Sequence, residues 1–336
     1  MKNSVILFST PPRIIASASA VGGEEKNGPL GRYFDFHDQT DRFGADTWEH
    51  AEAHLSSTVF SLVMNKARFH HSQLDMLFAG DLQNQCVASS EGLVGFGVPY
   101  IGLYGACSTC GEALMSASLA LSVPGGIRYA MAITTSHYCA AERQYRTPLE
   151  YGAQRPPTAQ WTATAGGGFL LTNENRGSVE IEAVMPGRII DSSIRDAANM
   201  GAAMAPAAAD SLLRYFAARG ERPEEYDAII TGDLAKEGSF ILENVLNGEG
   251  VSIKNNHFDC GKLLYDYDTQ DVHAGASGCG CSAAVLSAYF LPKLQRGEMR
   301  RVLFVATGAL MSPSSLLQGG NILGIAPVVC LRTTIV

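Results

Sequence analysis

Two apolar runs along the chain end in the same way. "LDMLFAGDL" (74–82) and "YDAIITGDL" (226–234) each carry an Asp, four mostly apolar residues, then Gly-Asp-Leu. An apolar run this short, closed by a Gly turn, predicts a buried strand. Each follows a longer segment that predicts a helix: "TWEHAEAHLSSTVFSLVMNKARF" before the first, "AADSLLRYFAARG" before the second. The pairing continues in order. "GACSTCGEALMSASLAL" (105–121) and "HAGASGCGCSAAVLSAYFL" (273–291) are Gly/Cys/Ser turns feeding Ala- and Leu-rich helices. "RYAMAITTS" (128–136) and "RVLFVATGA" (301–309) are apolar strands ending in Thr, Ser or Gly.

Strand, loop, helix and strand are therefore written twice. Strands alternating with helices predict an α/β fold of parallel or mixed sheets covered by helices. Two long copies do not make a solenoid. They suit a duplicated core, with halves taken as residues 1–175 and 176–336. Ligands in such folds sit at the carboxyl ends of strands beside helix N-termini, where both Gly/Cys loops fall. The segment "TPLEYGAQRPPTAQWTATAGGGF" (147–169) has little periodicity and reads as a long excursion.

Composition narrows the function. The 336 residues are 46% hydrophobic and 17% charged, with a net charge of -8. No global basic field attracts nucleic acid, so an anionic ligand needs a local cluster. Eight cysteines in a chain this long do not form a disulfide scaffold, and most lie in apolar or Gly-rich runs suited to reduced thiols. The apolar patch near the N-terminus is too short for a secretory signal. No run of about 18 apolar residues predicts a spanning helix. A soluble, cytoplasmic protein with room for peripheral membrane attachment is expected.

Candidate chemistry gathers at a few residues. Cys107 opens a predicted helix, where the helix dipole favours a thiolate, so it is a candidate nucleophile; a small buried hydrophobe is the competing reading. Cys107 and Cys110 form a Cys-x-x-Cys, but no thioredoxin-like unit or second spaced pair accompanies it. Cys110 reads as helix packing. His137 ends a strand, and Arg143, Arg146 and Arg155 follow within a short stretch. This compact basic cluster suits bidentate carboxylate binding, against a reading of surface pairing with Glu142 and Glu150. His273 opens the second Gly/Cys loop, and Asp233 ends the second Gly-Asp-Leu strand. Dinucleotide, Walker, zincin and nucleophile-elbow serine motifs are absent from the sequence.

With these residues in view, the chain resembles the thiolase superfamily. "ACSTCGEAL" is similar to the active-site stretch of thiolases and ketoacyl synthase III, which implies the nucleophile's place for Cys107. "HAGASGC" is similar to the thiolase C-terminal His loop, which implies a catalytic position for His273. The resemblance implies the five-layered α-β-α-β-α thiolase-like fold, usually as a homodimer. One part departs from the pattern. Where condensing enzymes carry a further His or Asn, this chain has Gly232 and Asp233 in "ITGDLAKEG". A carboxylate there disfavours a thiolate and supplies no oxyanion donor.

A narrower resemblance covers nearly the whole chain. "AGDLQNQ", "GACST", "MGAAMAPAAAD", "TGDL" and "VATGALMSP" are similar to the stage V sporulation protein AD family of spore-forming Firmicutes. That resemblance implies non-catalytic binding of dipicolinic acid (pyridine-2,6-dicarboxylate) for its uptake into the developing spore. It implies membrane-protein partners from the same operon and peripheral association with the spore inner membrane. The expected ligand-binding set is Cys107, His137, Arg143, Arg146, Asp233 and His273. Cys107 and His273 would then be vestigial catalytic positions. No cofactor or resident metal is expected, although calcium can accompany the ligand. The alternative is an active Cys-dependent acyltransferase like ketoacyl synthase III.

Overall fold

The computed structural model describes residues 4–145 and 155–335. Ten strands carry the architecture. The first five are β1 (Arg13–Val21), β2 (Met76–Gly80), β3 (Tyr100–Gly102), β4 (Tyr129–Ser136) and β5 (Ala165–Thr172). The second five are β6 (Val179–Met185), β7 (Ala228–Thr231), β8 (His257–Asp259), β9 (Arg301–Val305) and β10 (Val328–Thr333). The helices that position the site are α1 (Trp48–Ala67), α2 (Val87–Leu93), α3 (Thr109–Leu121), α4 (Tyr138–Tyr145), α5 (Met200–Arg219), α6 (Ala235–Gly248) and α7 (Cys279–Val285).

The predicted duplication is visible in strand order. The first half runs β1-β5-β4-β2-β3 and the second runs β6-β10-β9-β7-β8. Both have the same sense: two antiparallel pairings, then two parallel ones. The two sets join where Arg13 of β1 pairs Glu180 of β6, so the strands form one continuous mixed sheet. The N-terminal strand Ile6–Leu7 crosses over to pair with β6 of the second half.

Helices complete five layers. α3 and α7 pack between the two halves of the sheet, α1 and α2 cover the outer face of the first, and α5 and α6 cover the second. Burial on both faces explains why β4 reads as a continuous run, "YAMAITTS", with every residue buried. α1 is started by Thr47, whose side chain accepts from the His50 amide. Its buried positions Ala51, Leu55, Val59 and Val63 recur every four residues and face the sheet.

One expectation needs correction. The run "AGGGF" falls in β5 and not in a loop excursion. Its glycines are set by close helix packing. A side chain on Gly167 would overlap Ala283 of α7, and one on Gly168 would meet Val59 and Val63 of α1 at 2.8 and 2.9 Å. Three glycines thus let helices approach one strand from both faces. The earlier part of that segment, residues 147–154, lies outside the described residues.

Candidate functional site

A cavity opens where the strands of both halves end. It holds about 550 Å3 of space including its mouth, within the range of small-molecule sites. Its floor contains Cys107, Ala106 and Ser277; Tyr104, Tyr145, Met200 and Met311 are among its walls.

Local backbone delivers Cys107 to that floor. Ala106 has a left-handed φ of 51°, unusual for a residue with a Cβ, and turns the chain sharply between Gly105 and α3. The turn is pinned by Ser108 Oγ, which donates to the Gly105 carbonyl at 2.7 Å. Ser277 arrives from the other half. The two-residue strand Trp161–Thr162 pairs in parallel with Ala276–Ser277, so Thr162 and Ser277 stand side by side in the cavity wall.

Asp233 sits behind this floor, fully buried. It accepts from the Gly278 amide at 2.8 Å, Thr307 Oγ1 at 2.8 Å and Ser277 Oγ at 3.2 Å. Burial raises its carboxyl above the ordinary range. Cys107 is 5% exposed, with Sγ 3.8 Å from Ser277 Oγ. Burial pushes its thiol well above the ordinary value, and the charge of Asp233 pushes it further. The position that a condensing enzyme would use for a thiolate therefore holds a neutral thiol facing an acid.

Two helices begin at the cavity. Cys107 stands two residues before α3, and Met200 is the first residue of α5. Their positive ends favour negative charge in the space between them. The hydroxyls of Tyr104 and Tyr145 lie 2.7 Å apart, and Tyr145 also donates to the Leu82 carbonyl at 2.6 Å. Among the described lining residues there is no Lys, Arg or His, and Glu142 is the one charged group.

The structure brings together Cys107 and Asp233 of the sequence-derived set. It places three others away from the lining. His137 is fully buried and donates from Nε2 to the Asp41 carbonyl at 2.7 Å, with its ring 5.5 Å from that of Trp48. Burial lowers its pKa, so it is a neutral ring fixed in the core. Arg143 pairs outward with Glu49 at 3.1 Å. His273 adopts φ 50° and is held by the Pro156 carbonyl at 2.8 Å and Asp271 at 3.0 Å. Arg155 stacks over Trp161 and donates to the Asp271 carbonyl. Arg146 lies outside the described residues. Sequence reading missed Ser277, Thr162 and the two tyrosines. Ser277 was visible inside "GASGC", and Tyr104 stands three residues before Cys107.

Known proteins match this chain over its length. The family described as Stage V sporulation protein AD (SpoVAD) matches residues 2–332. Stage V sporulation protein AD of Bacillus subtilis (strain 168) is 39% identical over 320 residues, covering 95% of this chain and 94% of that protein. Among solved structures, 3-oxoacyl-[acyl-carrier-protein] synthase III from Aquifex aeolicus VF5 aligns with a TM-score of 0.57 at 13% identity. It covers 96% of this chain and 99% of its own. A tetronic acid condensing enzyme aligns at 0.60 and 16% identity, covering 95% and 99%. At such low identity these two establish the thiolase-like fold alone.

Proposed function

The chain belongs to the stage V sporulation protein AD family, which gives it a role in sporulation, and from that premise we propose that it binds dipicolinate without transforming it. In this reading it presents the ligand for uptake into the developing spore, at the spore inner membrane, beside membrane proteins of its operon. Among the described residues no helix is long and apolar enough to cross a membrane, so attachment would be peripheral.

The observation that carries the reading is Asp233 behind Cys107. Acyl transfer needs a thiolate and a donor for the developing oxyanion. Here burial and a neighbouring carboxyl keep the thiol protonated. What remains is a cavity with aromatic and thioether walls, a hydroxyl donor at Thr162, and two helix N-termini. Those features suit a flat ring carrying negative charge. Self-association is assigned to the sheet edge, where β3 exposes Tyr100 and Ile101.

Calorimetry with dipicolinate tests the proposal. Binding to the wild-type protein is expected, weakened about tenfold or more by Ala309→Leu, which fills the cavity, and by Thr162→Val, which removes a hydroxyl donor. Arg146→Ala asks whether the residue after Tyr145 supplies the missing cation. No binding by folded wild-type protein overturns the proposal. The competing acyltransferase reading draws on the left-handed turn at Ala106. It predicts a mass increase on Cys107 after incubation with an acyl-CoA; an unmodified Cys107 removes it.

A further inference from the structure

A second cavity lies at the opposite end of the sheet from Cys107. β9 runs from Arg301 at this end toward Ala309 at the first cavity, and Arg332 of the antiparallel β10 pairs with Arg301 in register. The space amounts to about 870 Å3 including its mouth. Its charged lining is four arginines, Arg219, Arg300, Arg301 and Arg332, against two glutamates, Glu182 and Glu221. Locally that is an excess of two positive charges, in a chain whose net charge is -8.

The two glutamates are already fully engaged. Glu182 accepts from Arg219 Nη2 at 2.8 Å and from Arg301 Nη2 and Nε, both at 2.9 Å. Glu221 accepts from Arg219 Nη2 at 2.7 Å, from Arg301 Nη2 at 3.0 Å and from the Tyr226 hydroxyl. The carboxylates thus fix two guanidiniums as a rigid wall and have no acceptor capacity left for the others. Arg219 Nε is buried without a hydrogen-bond partner among the described residues. Arg332 reaches Glu180, which Arg13 also approaches at 3.7 Å. Arg300 is exposed, and its side chain has no partner among the described residues.

We propose that this cavity is a binding site for a small, multiply charged oxyanion, a phosphate or a polycarboxylate, gripped by Arg300 and Arg332 against the Arg219–Arg301 wall. Guanidiniums match such groups through paired N–H donors. The site is independent of the Cys107 cavity and of what that cavity binds.

The test uses the full chain, inorganic pyrophosphate and isothermal calorimetry at low salt. Saturable binding is expected, at least tenfold weaker in the Arg300→Ala/Arg332→Ala double variant and weaker again at high salt. Arg332 partners the buried Glu180, so the double variant is compared where it remains folded; Arg300→Ala alone should keep the wild-type melting temperature and still weaken pyrophosphate binding. Ala309→Leu, which fills the other cavity, should leave pyrophosphate binding unchanged. Absence of pyrophosphate binding, or equal binding by the double variant, overturns the proposal. A parallel arm uses vesicles containing phosphatidylglycerol. Vesicle binding lost in the double variant, with no pyrophosphate binding, overturns the free-ligand form and moves the same chemistry to a lipid headgroup.

Discussion

The two Gly-Asp-Leu turns have one sequence and two uses. In the first half, Asp81 accepts from the Gln83 amide at 2.8 Å and from the Ser89 amide and hydroxyl at 2.7 Å each. All its partners lie within eight residues, so it closes its own loop. In the second half, Asp233 accepts from Ser277, Gly278 and Thr307, which reach it from distant parts of the chain. It holds together the wall of the cleft between the halves. Behind Asp81 stands another buried acid, Glu52; before Asp233 stands the thiol of Cys107. The tripeptide specifies a strand end and a tight turn, and the segments that arrive there decide what the carboxyl does.

The sharpest contrast lies in the glycines. A Cβ on Gly80 would overlap the Leu103 carbonyl and sit 2.6 Å from Thr109 Cγ2 of α3. A Cβ on Gly232 would come within 2.8 Å of the Thr307 amide and 2.9 Å of its hydroxyl. Gly80→Ala should therefore cost about 3 kcal/mol or more, and Gly232→Ala about 1 to 2 kcal/mol, because the first overlap with backbone is deep and the second shallow. Chemical denaturation of both variants reads this directly. Equal losses would mean that the two turns are equally crowded and that the comparison is only one of carboxylates.

The next effect is chemical. Asp233→Asn keeps the acceptor for Gly278 and can turn its amide toward Thr307, while removing the acid beside Cys107. The Cys107 thiol should fall toward its ordinary range, and its alkylation near pH 8 should rise severalfold. Asp81→Asn should leave that rate unchanged. Peptide mass spectrometry after timed iodoacetamide treatment isolates Cys107 from the other thiols. If both substitutions raise the rate alike, Asp233 is not what holds the thiol neutral.

Much of this was legible in the sequence because duplication is a strong signal. The matched strands and the two helices behind the Gly/Cys turns followed from paired segments, while the five-layer order came from the resemblance to thiolases carried by the stretches around Cys107 and His273. The glycines of β5 were not legible, since a Gly run looks alike whether a turn needs it or two helices crowd it. The direction of Arg143 was not legible either. α4 buries Ala140 and Ala141 and turns Arg143 to Glu49, and closeness along the chain does not say which face a side chain takes. Ser277 beside Thr162 depends on a two-residue strand pairing between halves, too short to leave a periodic trace.

The smallest effect concerns pH, and it separates the turns by sign and slope. Burial raises the carboxyl pKa of Glu52, and Asp81 raises it further; burial raises Asp81 as well. The folded protein therefore keeps protons that the unfolded chain gives up near pH 4 to 5, the ordinary carboxyl range. Stability from this pair is full below that range and is lost as pH rises through the folded values. Asp81→Asn removes one titrating group and lowers the other, so the decline in stability from pH 5 to 8 should become shallower. The substitution also sets an amide against backbone donors that now face a carboxylate, so the absolute stability should fall at every pH; the slope carries the test. Asp233→Asn removes a carboxyl that burial alone raises, and should flatten the profile less. Melting temperatures measured across pH 5 to 8 for the three proteins check this order. An unchanged slope in Asp81→Asn would show that the first turn holds no coupled acid pair, and the two turns would then differ only in what faces them across the cleft.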